Sequence, residues 1–344
     1  MGASSRMRTF QYLPLWKKEG VEVEVNSFFN AAYLTRFYEG KKPSIVNVLF
    51  CYLKRFWILL GAFRYDLIWI EKELFPFLPS YGEWILEKTG KGYVVDYDDA
   101  VFHNYDKNQF WLVRVWMGNK IDWVMRHAQL VFVGNSYLHQ RAEKAGSKQI
   151  LTLPTVVDVE KYAFKKWDNP QTVRLGWIGS PTTLKYLTAL IPVFEKLRLT
   201  HEFELIIVNS DKVHLPEFPC KVTLLPWKEE EESGYIELMD IGLMPLPDSY
   251  WERGKCAYKL IQYMACGLPV VASPVGMNKD VVIHGENGYL ASNPEEWEAH
   301  LTHLIESPAL REKFGIRGHK RVKEFYTIDR NFDSIRSALK ELLK

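Results

Sequence analysis

The stretch Lys255–Ala291, KCAYKLIQYMACGLPVVASPVGMNKDVVIHGENGYLA, decides the reading of this 344-residue chain. Its first part has helical spacing and halts at Gly267, a residue that ends helices because it enters the left-handed region without strain. PVVAS, residues 269–273, is short, apolar and β-branched with no polar alternation, as expected of a strand covered on both faces in a parallel sheet. A loop containing Gly276 and a further glycine turn then lead into GYLA. Ligands of open α/β sheets bind at the carboxyl ends of such strands. Lys255 and Lys259 lie four apart, so on one helix they share a face where two ammonium groups can meet a diphosphate. Read by spacing alone, they are equally two solvated surface charges.

Outward from this stretch, short runs of β-branched and aromatic residues alternate with longer helical stretches, the pattern of an α/β protein with parallel sheets. One series of expected strands reads 173–179, 203–209, 222–226, 241–246 and 269–273. An earlier series reads 21–26, 66–70, 93–97, 130–134 and 150–153. Between them, PTVVDVEKYAFKKWDNPQ carries two prolines and a polar far end, and reads as a linker. The expected domains are 1–168 and 169–325, with 326–344 a final helix able to pack back on the first.

Composition narrows the function. Lysine plus arginine number 44 against 42 aspartates and glutamates, a net charge of +2 that offers no field to attract nucleic acid. Cys51, Cys220, Cys256 and Cys266 have no CxxC spacing, which fits free thiols in a reducing compartment and a cytoplasmic protein. The apolar run 56–63 is too short to span a bilayer, and MGASSRMR lacks the apolar core of a signal peptide. The stretch 46–64 interleaves Tyr52, Phe56 and Trp57 with Lys54, Arg55 and Arg64. It suits either an anionic membrane surface or a helix packed on its own sheet.

Two further motifs carry chemistry. In WIGSPTTLKYL, residues 177–187, a strand runs into Gly179, Ser180, Pro181, Thr182 and Thr183 before a helical pattern. That places hydroxyls and N–H groups at a helix start, either as an anion site or as a plain cap. In VVDYDDAVFHNYD, residues 94–106, strand alternation puts Asp96 and Asp98 on one face, with Asp99 and His103 beyond. Asp98, Asp99 and His103 are candidate proton acceptors, and Asp98 or Asp99 is equally a helix cap. Asp96-Tyr97-Asp98 also fits the short DxD pattern of metal-dependent transferases.

Gln262-Tyr263-Met264-Ala265-Cys266-Gly267-Leu268-Pro269-Val270-Val271-Ala272-Ser273, followed by Gly276, Asp280 and Asn287-Gly288-Tyr289-Leu290, resembles the E-A-M-A-x-G-x-P-V-V-A-S signature of the family 4 (group 1) glycosyltransferases. Bacterial cell-envelope enzymes are the particular likeness, with weaker echoes at 2–14, 134–138, 154–158 and 177–187. The resemblance implies a GT-B fold, two facing Rossmann-like domains with a cleft between them, and sugar transfer from a nucleotide diphosphate sugar. It implies retention of configuration, no metal and no cofactor besides the donor. The donor would meet Gly179, Ser180, Thr182, Thr183, Lys255, Lys259, Leu260, Gln262, Gly276, Met277 and Asp280. The front loop, with Ser4, Ser5 and Arg6, would approach acceptor or phosphates. A glycan or lipid-linked acceptor would bind the N-terminal domain, at the inner face of the cytoplasmic membrane. Four positions depart from the pattern. Gln262 replaces a ribose-binding glutamate, and Gly254 replaces a second glutamate for which Glu252 is a candidate substitute. Met277 replaces a glycine, and Asp280 replaces a glutamate. These departures keep open a non-catalytic sugar-nucleotide-binding scaffold, and the DxD pattern keeps open a metal-dependent transferase using Asp96 and Asp98. A nicotinamide dehydrogenase is disfavoured because no G-x-G-x-x-G follows a strand.

Overall fold

Two parallel sheets organise the chain, as the α/β pattern requires. The computed structural model describes residues 3–38, 41–167, 171–210 and 212–343, so residue 168, the expected boundary, and Gly2 lie outside the described residues. The chain divides into two compact units, one of residues 1–154 and 332–344, the other of 155–331.

The first unit carries β1 (Ile68–Glu71), β2 (Tyr93–Tyr97), β3 (Leu130–Val133) and β4 (Ile150–Thr152), all parallel and in the order 1-2-3-4. β2 and β3 are buried at every position, which is why their sequences show no alternation. The expected strand 21–26 does not form. Val21, Val23 and Val25 are exposed, so this segment presents its apolar residues to solvent rather than to the sheet. The front segment, expected as a glycine loop, is instead a helix, Ala3–Arg8, whose last residue is buried. From Phe332 onward the last helix, Ile328–Leu342, belongs to this unit, with Phe332 packed edge-on against Trp16 at 4.6 Å.

The second unit carries β5 (Val173–Ile178), β6 (Phe203–Asn209), β7 (Lys221–Pro226), β8 (Ile241–Met244), β9 (Val270–Ala272) and β10 (Gly288–Leu290). Their order is 10-9-8-5-6-7, every pair parallel. β10, read from sequence only as a turn leading into GYLA, extends the edge. Leu175, Leu205, Ile241 and Val271 lie at the centre of one apolar cluster. Burying each side chain contributes about 1.5–3 kcal/mol. The segment expected as a linker is packed on this unit. Val156 and Val157 are buried, and Lys165 makes a backbone bond to the Cys266 carbonyl at 2.8 Å.

Asp240 stands just before β8 and is buried. It accepts from the backbone N–H and guanidinium of Arg174 at 2.9–3.0 Å and pairs with the buried Lys165 ammonium at 2.9 Å. Burial alone would lift its carboxyl, but Arg174 and Lys165 outweigh that and hold it below the usual carboxylate range. Replacing Asp240 by alanine strands two cations. The expected cost in denaturant unfolding is about 3–5 kcal/mol, and a loss under about 1 kcal/mol would show that the pair does not hold the unit.

Candidate functional site

In the second unit the strand order reverses between β5 and β8, with β6 and β7 to one side and β9 and β10 to the other. That topological switch point is where an open parallel sheet leaves a crevice at its carboxyl edge. The segments following β5, β8 and β9 gather there, and they carry nearly every donor-site residue expected from the sequence.

Lys259 is the central side chain. It lies on the helix Tyr258–Ala265, and its ammonium sits 5.0 Å from the centre of the Trp177 ring in β5. Among the described residues it makes no hydrogen bond or ion pair. Loss of hydration, reinforced by the charge of Lys255, pushes its pKa down to about 7. Gly179, two residues beyond Trp177, has no room for a side chain, since a Cβ there would come within 2.0 Å of the indole. Lys255 does not share a helix face with Lys259, contrary to the spacing argument. It lies before the helix, and Ala257 turns the chain between them at φ +53°, a left-handed conformation that costs an alanine about 1–2 kcal/mol. The Lys255 ammonium instead sits 5.6 Å from the Trp251 ring.

Gly276 also sits in the left-handed region, at φ +53°, and a Cβ would meet the Arg253 carbonyl oxygen at 2.7 Å. Only glycine lets this loop press against the turn Glu252–Gly254. Glu252, on that turn, is buried and accepts from the hydroxyls of Tyr186 and Ser249. Burial would raise its carboxyl, yet those hydroxyls outweigh burial and hold it below the ordinary range. Tyr186 and Ser249 were not singled out from sequence, nor was Trp177 as the seat of Lys259. Tyr186 and Trp177 lie inside the WIGSPTTLKYL motif, but spacing does not reveal which side chains meet.

Other expected donor residues are placed differently. Gln262 is fully buried, and its amide donates to the Tyr162 hydroxyl at 3.0 Å rather than opening to a ribose. Leu260 is core, its N–H bonded to the Ala257 carbonyl. Met277 is buried, whereas Asp280 is exposed with its carbonyl held by Arg321 at 2.6 Å. Ser180, Thr182 and Thr183 bond largely to one another. Thr183 Oγ1 takes the Ser180 N–H at 3.0 Å, and the helix that follows, Leu184–Thr188, is only five residues long. The three form a closed cap rather than an open row of donors.

In the first unit, the carboxyl ends of β1 and β2 hold a charged cluster. Lys72 reaches Asp98 at 3.2 Å, Asp99 at 3.5 Å and the Ser4 hydroxyl at 3.0 Å. Ser5 donates to Glu71 at 2.9 Å, so the front helix is tied to this edge. Arg6, on the same helix, is half-buried. Burial opposes ionisation of Asp98, but Lys72, the Ser4 hydroxyl and Arg8 overcome it and lower its pKa. Asp98 is therefore a fixed negative charge and a weak proton acceptor. Asp96 does not pair with Asp98 around a common point. Both of its oxygens are taken by the Arg8 guanidinium at 2.5–3.1 Å, and both residues are buried. His103 binds Asp106 at 2.7 Å and Tyr137 at 2.8 Å, which occupies both ring nitrogens. Lys72 and Glu71 are the members of this cluster that the sequence did not reveal.

Residues 172–307 match the model of the family described as glycosyl transferases group 1. Over 166 residues the chain is 23% identical to the putative teichuronic acid biosynthesis glycosyltransferase TuaH of Bacillus subtilis (strain 168), covering 44% of this chain and 41% of that protein. Over 78 residues it is 37% identical to an uncharacterized glycosyltransferase of Methanocaldococcus jannaschii, covering 22% and 20%. The chain thus spans less than half the length of these curated relatives. Among solved structures it is similar to Anabaena HepE in complex with UDP and glucose, with TM-score 0.63 and 14% identity over 97% of this chain and 90% of that one. It is also similar to sucrose-phosphate synthase from Thermosynechococcus elongatus, with TM-score 0.65 and 15% identity over 86% and 78%. Its fold is therefore that of the GT-B glycosyltransferases, and within the second unit residues 172–307 carry the match to the glycosyl transferases group 1 family.

Proposed function

We propose that this protein transfers a sugar from a nucleotide diphosphate donor, held at the switch point of the second unit, to a glycan or lipid-linked acceptor bound by the first. The observation that carries this reading is the Lys259 ammonium, seated on Trp177 without a hydrogen bond or ion pair among the described residues. A half-buried cation left in that state is stabilised by an incoming anion, and a diphosphate leaving group supplies one. Transfer with retention of configuration, without a metal, follows the resemblance to family 4 enzymes. Lys259 would then carry the charge that develops on the departing diphosphate. HepE, solved with UDP and glucose, supports a nucleotide-sugar donor, and the relative named for teichuronic acid biosynthesis supports a role in cell-envelope polysaccharide synthesis. Peripheral contact with an anionic membrane, through the stretch 46–64, completes the proposal. The burial of Gln262 on Tyr162 favours one second reading, a unit that binds the donor without turning it over.

Two measurements test the donor site. Lys259→Met removes an unpaired cation, so the ligand-free protein should melt higher, by roughly 2–4 °C for each kcal/mol gained, while the shift produced by a panel of UDP-, GDP-, dTDP- and ADP-sugars disappears. A variant that melts lower and still responds to a donor would refute the assignment. The second measurement concerns pH. Lys259 starts near a pKa of about 7, and the bound diphosphate raises it, so binding takes up a proton above neutrality. Affinity should be level below about pH 7 and fall by up to about tenfold per pH unit above it. Lys259→Arg, which stays charged, should bind with no such slope. Calorimetry in two buffers of different ionisation enthalpy reads the proton directly, and zero uptake at about pH 8 would contradict the proposal.

A further inference from the structure

The first unit exposes an unusual amount of apolar surface, and its arrangement is regular. On the helix Ile45–Leu60, the residues Ile45, Leu49, Phe50, Leu53, Trp57 and Leu60 recur at three- and four-residue spacing and are all exposed, while Cys51 and Leu59 point inward. The separate helix Trp111–Met117 repeats the pattern. Trp111, Leu112, Val115 and Trp116 are exposed, Trp116 at 79%, and Met117 is buried. The two are linked through a loop. The Tyr52 hydroxyl donates to the Pro76 carbonyl, and Phe77, exposed at 61%, lies 5.8 Å from Tyr105 in the helix His103–Asp106, which precedes Trp111–Met117.

Charge identifies the occupant. Residues 41–65 and 107–121 contain no aspartate or glutamate, and their charges are Lys41, Lys42, Lys54, Arg55, Arg64, Lys107, Arg114 and Lys120. Lys54 and Arg114 are exposed beside the apolar stripes. Of the charges in the two segments, Lys120 is buried on Glu73, Arg55 is mostly buried and Arg64 pairs with the exposed Glu24. That leaves Lys41, Lys42, Lys54, Lys107 and Arg114 near the stripes, and aromatic and aliphatic stripes with such a cationic excess suit the headgroup region of an anionic bilayer. The helices lie along such a surface rather than cross it, since no described helix is long and apolar enough to span a membrane. After Lys72 the chain passes buried Leu74 and Phe75 before the exposed Phe77, and after Asp99 it passes buried Ala100, Val101 and Phe102 before the exposed Phe110 and Trp111.

We propose that the helix Trp111–Met117 is a second lipid-seating element, which together with Ile45–Leu60 and Phe77 docks the first unit on an anionic membrane. The proposal rests on the membrane contact suggested above for 46–64 and extends it to Trp111–Met117, whose exposed apolar face the structure shows. The test is flotation of the full chain with vesicles of phosphatidylcholine plus phosphatidylglycerol, against phosphatidylcholine alone. The wild type should float with the anionic vesicles and be released by high salt. Trp111→Ser/Trp116→Ser should partition about tenfold more weakly at an unchanged melting temperature, and Leu199→Ser, an equally exposed site on the second unit, should behave as wild type. If the double variant floats like wild type while Trp57→Ser is released, the second element is refuted and the contact through 46–64 stands. If the wild type ignores both vesicles, both fail. Sedimentation showing a dimer that the double variant dissociates, with vesicle binding untouched, would assign the face to a second copy and overturn the proposal.

Discussion

Asp240 pins the start of the second unit's central crossing. It holds the backbone and guanidinium of Arg174 at the head of β5, and with its remaining capacity it takes Lys165 from the segment that straps across the same end. β5 and β8 are the two strands between which the sheet reverses, so this buried carboxylate fixes the register on which the opposite, carboxyl edge depends. A one-residue slip there would turn Trp177 away from its present face and remove the platform under Lys259. A buried carboxylate that holds two cations at one end of the strands secures a cation without an ion-pair partner at the other.

That asymmetry is the chemical logic of the site. The polar neighbours of Lys259 at the site find partners within the protein. Glu252 has two hydroxyls, Gln262 has Tyr162, and the Ser180–Thr183 turn closes on itself. Among these residues Lys259 makes no hydrogen bond or ion pair, with an aromatic face beneath it and a second ammonium nearby that makes its own charge harder to keep. Such a group lowers the stability of the empty protein and raises the gain on binding an anion, the usual trade at a preorganised site.

Much of the fold was legible because buried parallel strands leave a plain trace. PVVAS, LIIV within 203–209 and YVV within 93–97 are continuous apolar stretches, and each falls in a strand. The segment 21–26 carried perfect alternation and still failed, because alternation says only that one face is apolar and not that a sheet edge is available to receive it. The site was less legible. Gly276 was readable, since a glycine required by backbone contact appears as a glycine. The pairing of Lys255 with Lys259 was not, because it assumed a helix that Ala257 interrupts. Trp177, Tyr186 and Lys72 come to their partners from residues distant in the sequence, Lys72 and Asp98 from different strands and Tyr186 and Glu252 across 66 positions. Local pattern does not encode such meetings.

The membership of residues 332–344 in the first unit has a consequence for how the chain comes to be folded. Glu19 meets Arg336 at 2.8 Å, and Trp16 packs on Phe332, so residues 332–344 close a unit whose other residues all precede 155. As the chain leaves the ribosome, the second unit has all its residues in hand before the first does. The N-terminal unit, with its wide apolar exterior, must wait in an unfinished form for its last helix. Residues 1–154 are made before 155–331 yet complete their unit only with 332–344, and in that interval their apolar exterior is most dependent on a surface or a chaperone to cover it.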